Sequence, residues 1–123
     1  MELSEFAIQK LARIINGDTG HTPYLSGSKL VDLFNRFGAR DVYGEGFPLR
    51  WKYAEDKLYQ LNGGPKIARV LEAVVDPRNY FETGLDVNDA VFHINELLSF
   101  DGFSLVANGK EYKLISVEGV IVS

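Results

Sequence analysis

Apolar residues recur at helical spacing along most of this chain and change to strand spacing only near its end. Ala7, Ile8, Leu11, Ile14 and Ile15 make one stripe. They predict a helix from about Ser4 to Ile15, capped by Ser4 and stopped at Asn16-Gly17. Leu30, Leu33, Phe34 and Phe37 predict a second helix from about Ser26 to Phe37, ended by Gly38. A Gly-rich connector, GARDVYGEGFP, follows. In a third helix, about Leu49 to Leu61, Trp51, Ala54, Leu58 and Leu61 fall on one face, which places Trp51 in the core. Arg50, Tyr53 and Lys57 then form a separate basic edge for solvent or a partner.

Pro65 suits the start of a fourth helix, whose stripe is Ile67, Val70, Leu71 and Val74. Asp76 caps a short turn that Tyr80 and Phe81 anchor. A fifth helix is expected from about Val87 to Phe100, with Asp86 as its cap and Val87, Ala90, Val91, Ile94, Leu97 and Leu98 inward. The period then drops to two in FSLVA and EYKLISV. Asn108-Gly109 between them is a type I′ hairpin signal, with Leu105, Tyr112 and Leu114 on one face. A third short strand is expected at Val120–Val122. The fold class is mostly α (α+β), with about five helices and a C-terminal β-hairpin. The second half has the element order of a winged helix.

A length of 123 residues fits a single domain, residues 1–123, and 46% hydrophobic residues supply one core. There is no cysteine, which excludes disulfides and thiolate chemistry and fits a reducing cytoplasm. No signal peptide or membrane span is visible, so no membrane partner is expected. The ending GVIVS, with its branched aliphatics, suggests an N-terminal fragment of a longer protein. The formal charge is −4. Residues 29–78 carry nine Lys/Arg against seven Asp/Glu, whereas residues 79–123 carry two against seven. The middle is therefore mildly basic and the last third acidic.

That contrast shapes the search for chemistry. The helix before the hairpin carries Asp86, Asp89, Glu96 and Asp101 without a cation, so major-groove docking would set like charges together. The basic stretch with interleaved aromatics, GFPLRWKYAEDKLYQLNGGPK, is the better nucleic-acid surface. There Arg50, Lys52, Tyr53 and Lys57, with Lys66 and Arg69, would hold backbone and stacked bases. His21 and His93 lack metal-ligand spacing and read as satisfied or solvent-facing. NGGPK follows a helix and is no phosphate loop. No catalytic, metal or cofactor site is read, and the expectation is a non-enzymatic module.

Three stretches together, LSGSKLVDLFNRFG, RWKYAEDKLYQLNGGPKIARVLEAVVDPRNYF and INELLSFDGFSLVANGKEYKL, resemble the N-terminal accessory domain of AbiJ-type bacterial abortive-infection proteins. The resemblance covers about residues 25 to 116. It leans on Arg50-Trp51, Leu61-Asn62-Gly63, Asp76-Pro77-Arg78, and Asn95-Glu96 followed by Asp101-Gly102. It implies a sensor or regulatory domain of antiviral defence coupled to an effector, often a HEPN-type ribonuclease, in the same or a partner chain. A phage protein or RNA is the implied trigger. The effector's R-x-x-x-x-H motif is missing: none of Arg13, Arg36, Arg40, Arg50, Arg69 and Arg78 has a histidine five positions later.

Overall fold

A computed structural model describes residues 1–117. The helices are α1 (Glu5–Ile15), α2 (Gly27–Asn35), α3 (Arg50–Leu61), α4 (Lys66–Val74) and α5 (Val87–Leu98), and the strands are β1 (Phe103–Asn108) and β2 (Glu111–Ser116). Short 3-10 turns lie at Pro77–Tyr80 and Ser99–Asp101. The chain is a mostly helical α+β domain with a two-stranded antiparallel hairpin. No helix of the described residues is long and apolar enough to cross a membrane.

The caps sit where the side chains dictate. The Ser4, Ser26, Asp76 and Asp86 side chains accept from the amides of Ala7, Lys29, Arg78 and Asn88. Each satisfies a donor that a helix start leaves orphaned. The stripes of α1, α4 and α5 meet in one core with Leu30, Val31, Leu33 and Phe34 of α2. α1 packs on α3 and α5, β1 on α5 and β2 on α4. Leu105 pairs with Leu114 across the hairpin, and both are buried.

The turn differs from the type I′ expectation. Asn108 pairs with Glu111, so Gly109-Lys110 are the turn residues, one place on. Of the four only Gly109 has a positive φ, +66°, the pattern of a II′ turn with glycine first. Tyr80 is buried, its hydroxyl donating to the Val74 carbonyl, while Phe81 is exposed and anchors nothing. Val120–Val122 lie outside the described residues.

Three asparagines act as peptide mimics, each gripping both the N–H and the C=O of one distant residue. Asn62 holds Leu3 (2.8 and 3.0 Å), Asn95 holds Leu105 (2.7 and 2.9 Å), and Asn35 holds Asp41 (both 3.0 Å). They fix, in turn, the N-terminal segment, the first strand and the α2–α3 loop. Asp101 ties the chain start to the end of α5 by accepting from the backbone N–H and hydroxyl of Ser4.

Candidate functional site

The basic edge expected on α3 does not stand apart from the core. At about 100° per residue, Arg50, Ala54, Lys57 and Leu61 lie within roughly 60° of one another on the helix wheel, so they share a face. The buried arc is turned toward Tyr53, which is 5% exposed, and away from Trp51, which is only half-buried. Trp51 instead lies under the Arg13 guanidinium, 4.7 Å from its ring centre. Tyr53 can take the core position because its hydroxyl has a partner, the Asp41 carboxylate at 2.8 Å.

Arg50 faces inward as well. Its guanidinium donates to the Leu25 and Asn16 carbonyls and to the Asp18 carboxylate, and it stacks 4.1 Å from the Tyr24 ring centre. It clamps the whole α1–α2 loop. Lys57 is spent on Asp41, with Nζ 2.6 Å from Oδ2. Lys52 is exposed and pairs with Asp56 one turn on, while Lys66 and Arg69 point to solvent on α4. Of the six residues read as a nucleic-acid edge, Arg50, Tyr53 and Lys57 therefore hold the fold; Lys66 lines a groove with Lys57, while Lys52 and Arg69 lie exposed on α3 and α4.

What these inward groups build is the α2–α3 loop. Asn35 fixes the backbone of Asp41, and Tyr53 and Lys57 fix its carboxylate. Phe34, Tyr53, Phe47 and Tyr43 follow as a ladder of rings, with centroids 5.9, 4.8 and 4.8 Å apart. The ladder ends against Gly27, where a Cβ would lie 2.2 Å from the Tyr43 ring. The loop is thus held at both ends and along its middle. It nonetheless presents Val42 (87% exposed) and Leu49 (67% exposed) to water. A groove of about 430 Å³ beside them is lined by Tyr43, Phe47, Pro48, Leu49 and Trp51.

The Lys57 ammonium, and after it the Tyr53 hydroxyl, holds the Asp41 carboxyl below the usual carboxylate range. Arg78 does the same for Asp76. A carboxyl whose folded pKa is depressed stabilises the fold above its unfolded value near pH 4 and loses that contribution as pH falls through the lower folded value. Urea midpoints measured from about pH 6 down to about pH 2.5 are expected to drop below about pH 4, less steeply in Asp41→Asn.

One cluster was hidden from the sequence reading. His21, from the α1–α2 loop, meets His93 and Asp89 of α5. The legible half of the signal was Asp89, His93 and Glu96, at i−4, i and i+3 on one helix face. The pairing with His21 needed the fold.

Comparison with known proteins found no matching family model, no matching curated protein and no matching solved structure.

Proposed function

We propose that this chain is a non-enzymatic sensor or regulatory interaction domain of a bacterial antiviral abortive-infection protein. Its partner is a HEPN-type effector domain in the same or a partner chain, docked on the α2–α3 loop. The observation that carries this reading is a rigid loop with apolar tips. Exposed apolar side chains on a preorganised loop lose little entropy on docking, so burying them favours association. The antiviral setting rests on the resemblance alone.

A protein fits this surface better than a polyanion does. The ion pairs Asp18–Arg50, Asp41–Lys57 and Asp56–Lys52 leave little net charge on these groups, and Glu45 adds one more carboxylate beside the loop. A phosphate backbone would meet no unpaired cation among Arg50, Lys52 and Lys57. The nucleic-acid alternative keeps Lys66 and Arg69, and a fair test of it reverses those two charges, because reversing Arg50 or Lys57 would damage the fold.

The docking surface is tested by challenging cells that carry this chain together with the HEPN-type effector domain with a phage panel. The wild type is expected to suppress plaques. The double substitution Val42→Ser and Leu49→Ser is expected to restore them to near vector level, with the melting temperature of the domain unchanged. Full suppression by the variant would remove the loop from the mechanism. No suppression by the wild type would remove the antiviral reading.

A further inference from the structure

The chain has two histidines, and the fold brings both to one point. Their rings stack with centroids 3.6 Å apart and 23° between the planes. Asp89 reaches both: Oδ2 lies 3.1 Å from His21 Nδ1, and Oδ1 lies 3.4 Å from His93 Nε2. On the other side of the His93 ring, Nδ1 lies 3.5 Å from Oε1 of Glu96. The Phe92 ring packs edge-on against His93 at 5.4 Å.

We propose that His21, His93 and Asp89 form a mononuclear site for a borderline divalent transition-metal ion, with Zn²⁺ the best fit. One donor atom from each residue falls within 4.8 Å of the others. Ligand atoms at about 2.1 Å from an ion stand at most about 4.2 Å apart, so a small closure suffices. Parallel imidazoles aim their lone pairs side by side, and closure therefore means splaying the stack. Two imidazoles with one carboxylate suit Zn²⁺ and its neighbours, whereas Mg²⁺ and Ca²⁺ favour oxygen alone.

Glu96 stands beside the other ring nitrogen of His93, 3.5 Å from Nδ1, where a small rotation would let it accept the N–H. A carboxylate at the far nitrogen of a histidine draws the proton there and leaves the other lone pair toward the metal. The His21 side is held too. Thr22 donates its hydroxyl to the Ile14 carbonyl, Asn16 accepts from the Asp18 amide, and Arg50 grips the same loop. All three ligands are partly exposed, so an ion enters without opening the core. Three protein ligands leave a fourth position for water or for a donor from a partner. The site lies on the α1–α2 loop and α5, and none of its ligands comes from the α2–α3 loop.

The test is calorimetric titration of tag-free protein with Zn²⁺, accompanied by the visible spectrum of the Co²⁺ form. One equivalent is expected to bind with a dissociation constant of about 10 µM or tighter. His21→Ala or His93→Ala should weaken binding at least about 100-fold, and Glu96→Gln about 10-fold. Metal-free melting of these variants should stay near wild type, because the side chains are partly exposed. Co²⁺ should give the intense bands of four-coordination. A dissociation constant above about 100 µM, or binding that survives His21→Ala/His93→Ala together, overturns the site.

Discussion

Arg50→Ala is expected to lower the unfolding free energy by about 3 kcal/mol, read as a shift in urea midpoint at unchanged slope. The side chain donates to two backbone carbonyls and one carboxylate, and it covers the Tyr24 ring. Its removal takes the guanidinium donor from the part-buried Leu25 carbonyl and leaves the Asn16 carbonyl with only the Leu25 N–H. Leaving such groups unpaired costs more than making the bond gains. Arg50→Lys is expected to recover less than half of the loss, because one ammonium cannot serve three acceptors set in a fork. A surface residue kept for binding an outside partner would give a shift within about 0.5 kcal/mol in either variant.

Gly17→Ala is expected to be at least as damaging, about 3 kcal/mol or more. Two costs combine. Gly17 has a φ of +86°, where an L-residue is strained by about 1–2 kcal/mol. An added Cβ would also lie 2.5 Å from Tyr24 Cα and 2.7 Å from the Pro23 carbonyl oxygen. That backbone has little room to yield, because Leu25 donates its N–H to Asn16 O at 3.1 Å. Gly20 provides the control within the same loop. Its φ is +82°, but nothing lies within 4 Å of the added atom. Gly20→Ala should therefore cost only about 1 kcal/mol, and the difference between the variants measures the collision. Equal losses would mean that the Pro23–Tyr24 backbone moves aside.

The stripes of α1, α2, α4 and α5 were legible because period and caps agree there. Ser4, Ser26 and Asp86 each stand one place before a helix and cap it, as Asp76 caps the 3-10 turn after α4. α3 was misread because two nearly overlapping arcs compete on it. Hydropathy alone favours the arc through Trp51 over the one through Tyr53. What decides is Asp41, which satisfies the Tyr53 hydroxyl and the Lys57 ammonium from a loop that carries no periodic signal. The inward clamp of Arg50 was invisible for the same reason, since its acceptors lie 25 to 34 positions away.

The residues that carry the family resemblance also turn out to hold the structure. Arg50 clamps a loop, Asn62 and Asn95 grip backbone, Asp76 caps a turn and pairs with Arg78, and Asp101 ties down Ser4. A pattern made of such residues speaks to shape more than to the partner. The candidate contact surface, Val42 to Leu49, lies between two of the stretches that carry the resemblance.

The most direct test is amide hydrogen exchange across the chain, alone, with the proposed HEPN-type effector domain, and with mixed RNA at low salt. Docking on the α2–α3 loop predicts that the effector slows exchange in residues 41–49 and that RNA leaves residues 50–69 unchanged. Slowed exchange over residues 50–69 with RNA, reversed by salt and by charge reversal of Lys66 and Arg69, would contradict it.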